Sequence, residues 1–185
     1  MHLNIYNLPT LQWLASLGAT RWVAPLEMKH EDLTALIQNG PQALQTEVFA
    51  YGRMPLAFSA RCFTARHHRL SKDQCEFRCR DDADGLLLST SDGAPFLVLN
   101  GIQTQSAAQQ CLIAEREALI GAGVERIRLS PASQRFGSVI ECFEGVMNGG
   151  ESVDAALSTL DSLSPPGGLA DGFAHGRPGL EWSHA

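Results

Sequence analysis

"RWVAPLEMKHEDLTALIQNGPQALQTEVFAYG", residues 21–52, decides the fold class. "RWVAPLE" (21–27) is a short apolar run, and "KHEDLTALIQNG" (29–40) carries Leu33, Leu36 and Ile37 as one helical stripe, with Asn39-Gly40 as its stop. "QTEVFAYG" (45–52) returns to a strand pattern. Upstream the same rhythm is read: "HLNIY" (2–6) alternates like a strand, and "LPTLQWLASLG" (8–18) puts Leu11, Leu14 and Ala15 on one helix face, ended by Gly18. Strands alternating with helices of this length predict an α/β fold, its parallel sheet covered by helices and either doubly wound or part of a barrel.

After Gly52 the rhythm breaks into "ARCFTARHHRLSKDQCEFRC" (60–79) and an acidic turn, "DDADG" (81–85). "PFLVLNG" (95–101) reads as a buried strand closed by an Asn-Gly turn, "SAAQQCLIAEREALIGAG" (106–123) as an amphipathic helix, "ERIRLSP" (125–131) as a strand and "SQRFGSVIECFEGVMNG" (133–149) as a helix. The tail "SPPGGLADGFAHGRPGLEWSHA" (164–185) is too rich in Gly and Pro for regular structure, yet its aromatics and "HGRPG" are unlike a disordered tail. Three segments result: βα units of a barrel (1–59), a cysteine-bearing loop (60–85) and a C-terminal α/β region packed on the barrel (86–185). A closed eight-stranded barrel takes about 250 residues. The expected sheet is therefore small and open, or the chain is the C-terminal portion of something longer.

With 185 residues, 44% hydrophobic and 18% charged, the chain has the balance of a soluble protein able to bury a core. A net charge of −6 and a pI of 5.4 exclude a phosphate-tracking nucleic-acid binder, although "ARHHRLSK" (65–72) is locally basic. The N-terminus lacks the pattern of a secretory signal, and no apolar run reaches the ~18 residues of a membrane helix. A cytoplasmic protein is expected. Thiols are kept reduced there, so five cysteines argue for metal binding, catalysis or burial and against a disulfide framework.

Cys62, Cys75 and Cys79 are spaced C-x12-C-x3-C. The short gap lets two sulfurs converge from one turn, and the long gap is a loop that returns a third. Soft thiolates suit zinc or an iron–sulfur cluster, and each normally takes four ligands. His67, His68, Cys111, Cys142 or an external group are candidates for the fourth. Cys111 and Cys142 fall at apolar helix positions, where a free cysteine is usually a core residue. A nucleophilic cysteine served by His67 or His68 is a further reading, and a chance clustering of thiols is the plain one.

His175 and Arg177 in "HGRPG" form a candidate carboxylate-binding pair, Arg offering a matching fork. Asn100 and Gln103 in "LNGIQT", and Tyr51 and Arg53 after the third strand, sit where α/β sites gather, at strand ends. His2, His30 and His184 read as surface positions. No dinucleotide or Walker glycine loop is present.

"EVFAYGRMPLAFSARC" (47–62) resembles the signature of the collagenase-like peptidase family, with Glu47, Phe49, Gly52, Met54, Ala57, Phe58, Ser59 and Cys62 on its positions. Most members carry cysteine where Pro55 stands. Proline there, followed by "SARCFTAR" (59–66), resembles the ubiquinone-biosynthesis branch, as do "NIYN" (4–7), "RWVAP" (21–25), "KDQCEFRC" (72–79), "LNGIQT" (99–104), "RIRLSP" (126–131) and "GRPGLE" (176–181). The resemblance implies a TIM-barrel-like protein holding a [4Fe-4S] cluster on four cysteines. Cys62, Cys75 and Cys79 match three of them, and the fourth is expected in the N-terminal part of the family's barrel, before this sequence begins. It also implies a heterodimer with a UbiU-like subunit, acting in oxygen-independent hydroxylation of polyprenylated aromatic precursors of ubiquinone. The alternatives are a collagenase-like peptidase or peptide-binding module, and a structural zinc protein. On the resemblance, the three cysteines are ligands and His67 and His68 are solvated loop residues.

Overall fold

The computed structural model describes residues 1–163 and 166–184, so Ser164, Pro165 and Ala185, part of the glycine- and proline-rich tail, lie outside the described residues. The predicted strand–helix–strand unit is present. Strand β1 (Arg21–Val23) leads into helix α2 (His30–Asn39), and strand β2 (Gln45–Phe58) returns parallel to β1, with Arg21 opposite Gln45 and Val23 opposite Glu47. Leu33 and Leu36 of α2 are buried in the main core, as the stripe predicts. Helix α1 (Leu8–Ser16) opens with the Asn7 side chain accepting the Thr10 amide at 2.9 Å and Pro9 in its first turn, and it buries Leu11.

Residues 2–6 form no strand. Asn4 adopts φ 51°, a left-handed turn that breaks an extended run, and only Ile5 of the segment is buried. The N-terminal ammonium instead donates to the Val23 carbonyl at 2.7 Å.

The larger difference falls at residues 106–123. Strand β5 (Gln103–Cys111) replaces the first half of the predicted helix, and α4 (Arg116–Ala122) follows after a 3-10 turn at Ile113–Glu115. Ser106 to Cys111 are buried without a break, because β5 lies inside the sheet between β2 and strand β4 (Pro95–Asn100). A run buried on both faces shows no period of two, so its small and amide side chains imitate a helix in sequence. Strand β3 (Leu86–Ser89), helix α6 (Val153–Leu163) and the two-residue strand β7 (Leu169–Ala170) are further elements, and β6 (Arg126–Leu129) and α5 (Phe136–Met147) lie inside their predicted segments.

The path β1-β2-β5-β4-β3, with β6 paired to β2 and β7 to β5, makes one mixed seven-stranded sheet among the described residues. It is open, so the barrel expected from the βα rhythm is not closed. Strands from residues 1–59 and 86–185 share this sheet. β1 and β6 flank Glu47 of β2 in parallel, while β5 runs antiparallel from Tyr51 to Phe58. The main core gathers Leu11, Trp22, Leu33, Tyr51, Phe143 and Leu160, and Tyr51 meets Phe143 edge to face at 5.7 Å. No helix among the described residues is long and apolar enough to cross a membrane.

Candidate functional site

β2 does not end at Gly52 but runs on through Pro55, which no interior ladder position admits without a break. The break is a bulge. Arg53 faces Gln109 and Pro55 faces Gln105, so three residues of β5 stand against Met54 alone. Its polar groups are satisfied from the side: Ser106 Oγ accepts the Met54 amide at 2.9 Å and donates to the Ala108 carbonyl, and Arg53 Nη1 donates to the Ser106 and Ala107 carbonyls at 3.2 and 2.6 Å. The bulge kinks β2 and β5 beside a polar cleft of about 680 Å³ lined by Arg53, Asp84, Asn100, Gln105, Gln109 and Ser130. Gln109, which borders the cleft, buries its Oε1 without a hydrogen-bond partner.

Past the bulge comes the cysteine segment. Cys62 is the N-cap of helix α3 (Phe63–His67), its sulfur accepting the Ala65 amide at 3.4 Å. Phe63 donates its amide to the Gly101 carbonyl at 2.9 Å, and the Gly101 amide donates to Thr64 Oγ1 at 3.2 Å. The Asn100-Gly101 turn of the β4–β5 hairpin thereby anchors the start of α3. Cys75 closes one 3-10 turn and Cys79 lies within the next, Arg78–Arg80, which packs against α3. Between them Glu76 and Phe77 are both left-handed, φ 55° and 52°, a strained pair for residues with side chains. Arg78 links Glu76 at 2.9 Å to Asp81 at 3.4 Å. All three thiols are free and half-buried, and Arg61 and Arg66 line a pocket of about 400 Å³ with Cys62. His67 and His68 are exposed.

The other two cysteines are core residues. Cys111 is buried on β5 and burial pushes its thiol up to about 12, while Cys142 on α5 packs against the core and is raised chiefly by burial, then by Glu141 and Glu151. Alkylation follows the thiolate. Iodoacetamide at mildly alkaline pH is expected to modify Cys62, Cys75 and Cys79 in the metal-free folded chain and Cys111 only on unfolding, read by mass spectrometry. Equal labelling of Cys111 and Cys75 would contradict the core assignment.

The substrate candidates are dispersed. Tyr51 is 2% exposed and belongs to the core, its phenol pushed up to about 12 by burial, so the expected strand-end position is not open to a ligand. Asn100 lines the cleft, and Gln103 pairs with it across the hairpin while accepting Gln105 Nε2 at 3.2 Å. Arg177 is exposed on the turn after the 3-10 helix Gly172–His175. His175 lies elsewhere, with three residues that sequence reading left aside. Its Nε2 is 3.2 Å from Glu115 Oε1, His184 Nε2 is 3.7 Å from the same oxygen, and His30 Nε2 is 3.1 Å from Glu115 Oε2. The His30 hydrogen bond is the first cause holding the Glu115 carboxyl below its ordinary range. His30 and His184 are thus members of a cluster: His184 keeps the expected surface position, whereas His30 is half-buried, a correction to its surface reading. Nothing in local spacing announces it, because the partners come from α2, the turn after β5 and the C-terminal segment.

Residues 1–184 match the model of peptidase family U32, nearly the whole chain. No solved structure matches.

Proposed function

The chain belongs to peptidase family U32, and from that premise we propose that it is an iron–sulfur protein of the ubiquinone-biosynthesis branch, of the UbiV type. It works with a UbiU-like subunit in oxygen-independent hydroxylation of polyprenylated aromatic precursors. The observation that carries this reading is the trio of free, half-buried thiols at the start of α3, at the end of one 3-10 turn and within the next, the last of which packs against α3.

Three thiolates are donors of the kind an iron–sulfur cluster takes, and a cluster spreads its thiolates over several irons. Arg61 and Arg66 beside Cys62 offset the negative charge of thiolate ligands. The fourth ligand is neither buried Cys111 nor core-packed Cys142. A cluster bound there supplies one-electron transfer.

The chain's own residues then have separate tasks. α3 and the β4–β5 turn hold Cys62 in place, and the left-handed Glu76-Phe77 step turns the chain between Cys75 and Cys79. In the cleft, Gln109 Oε1 accepts a hydroxyl of the aromatic head group. A peptidase reading has less support, because no described nucleophile stands hydrogen-bonded to a base of the Ser–His or Cys–His kind.

Anaerobic ubiquinone synthesis in cells whose copy is replaced by variants tests the proposal. Cys62→Ala is expected to abolish anaerobic product while leaving aerobic ubiquinone unchanged, and Gln109→Leu to reduce the anaerobic product with iron content intact. Full anaerobic synthesis by Cys62→Ala would overturn the reading.

A further inference from the structure

We infer that Glu115, Asp171, His175 and His184 form a binding site for one divalent transition-metal ion of the zinc type, separate from the cysteine loop. The donor atoms of Glu115, Asp171 and His184 all lie within 4.8 Å of one another. The first independent sign is Asp171. It is 2% exposed, and its Oδ1 is satisfied by the Ser183 amide and hydroxyl, both at 3.0 Å. Its Oδ2 is buried and accepts no hydrogen bond. A buried carboxylate oxygen left without a donor is costly, and a cation is the partner that remedies it.

The groups facing Asp171 Oδ2 do not provide that bond. His184 Nε2 stands 3.6 Å away and His175 Nε2 3.7 Å, both beyond hydrogen-bond reach. These are separations of neighbouring ligands around a metal. With metal–ligand bonds of ~2.0–2.2 Å, tetrahedral donors lie about 3.3–3.6 Å apart. His175 to Glu115 is 3.2 Å, and His184 to Glu115 is 3.7 Å. Four of the donor–donor distances therefore already approximate the edges of such a shell.

The surroundings supply what ligands need. His30 Nε2 holds Glu115 Oε2 at 3.1 Å and Ser183 holds Asp171 Oδ1, so each carboxylate is oriented through its other oxygen. Two imidazoles and two carboxylates without a thiolate favour zinc or a neighbouring divalent ion over an iron–sulfur cluster. The ion ties three parts of the chain together: the turn after β5, the 3-10 turn after β7, and the C-terminal segment. That segment is already laid on residue 171 by the Asp171 amide donating to the Glu181 carbonyl at 2.9 Å. The role is a structural staple: Glu115, Asp171 and His184 already converge, and His175, exposed beside them, closes the shell by a turn of its side chain.

The test uses the full chain carrying Cys62→Ser, Cys75→Ser and Cys79→Ser, so that thiolates of the loop take no metal. Zinc titration by calorimetry is expected to give one site per chain, with zinc raising the melting temperature. Co²⁺ is expected to give ligand-field bands without a thiolate charge-transfer band. His184→Ala, at an exposed position that leaves the core intact, and Asp171→Asn should each weaken zinc more than about 10-fold, and His30→Ala by about 10-fold or more through loss of the outer hydrogen bond. Absence of a zinc site, unchanged affinity in His184→Ala, or a thiolate band with Co²⁺ would overturn the assignment.

Discussion

Gly52→Ala is expected to lower the melting temperature by about 10 °C, because backbone strain and a steric clash fall on the same residue. Gly52 sits inside β2 at φ +123°, where an L side chain is strained, and a Cβ there would stand 2.5 Å from Ser130 Cβ and 3.3 Å from Phe49 Cζ. Strain of this kind costs ~1–3 kcal/mol, and an extra carbon in a packed interior another ~1–3 kcal/mol. Their sum is about 4 kcal/mol, a large part of the ~5–15 kcal/mol that holds a domain together. Ser130 cannot retreat, since its amide is bonded to the Tyr51 carbonyl at 2.8 Å. Two companions separate the terms: Ser130→Gly in the Gly52→Ala background should recover the steric part alone, and Gly93→Ala, at φ +88° with nothing within 4 Å, should show only the strain. Thermal unfolding monitored by circular dichroism reads all three. A melting temperature unchanged in Gly52→Ala would contradict the packing of β2 on β6.

Replacing Cys75 and Cys79 together by serine should have the opposite profile, with iron lost and the fold kept. Both residues belong to a surface turn, in which Phe77 is 64% exposed beneath the Arg80 guanidinium and the Arg78 ion pairs are open to water. Exposed pairs of this kind contribute ~0–1 kcal/mol, and surface substitutions outside special positions usually stay within ~0.5 kcal/mol. The melting temperature of the metal-free double variant is therefore expected within about 2 °C of the parent. Its iron content after anaerobic reconstitution is expected to fall to background, because one remaining thiolate cannot hold a cluster. Retention of half the iron would mean that the two turns do not supply ligands.

Part of this was legible in the sequence because it is periodic. The 3.6-residue stripe of α2 and the apolar runs of β1, β2 and β6 survive because each buries one side or one short stretch, and their local pattern carries the answer. β5 is not legible as a strand because burial on both faces erases alternation, and its run of small residues and amides imitates a helix. The extension of β2 past Gly52 was invisible for a related reason: a strand that crosses a glycine and a proline needs the bulge, and the bulge needs Arg53 and Ser106 from two strands. The three thiols of the cysteine segment can be grouped from sequence because they are near one another in the chain. Glu115, Asp171 and His184 cannot, since they come from separate turns and only the fold brings them together. Tyr51 shows the converse, a strand-end residue chosen by position and claimed by the core.

The most direct measurement is iron and acid-labile sulfide per chain in protein purified and reconstituted without oxygen, alone and with a UbiU-like subunit, beside Cys62→Ser. The account predicts iron and sulfide in equal amounts, approaching four of each per site in the parent complex, and near none in the variant. Zinc bound without sulfide in the parent, or undiminished iron and sulfide in Cys62→Ser, would contradict it.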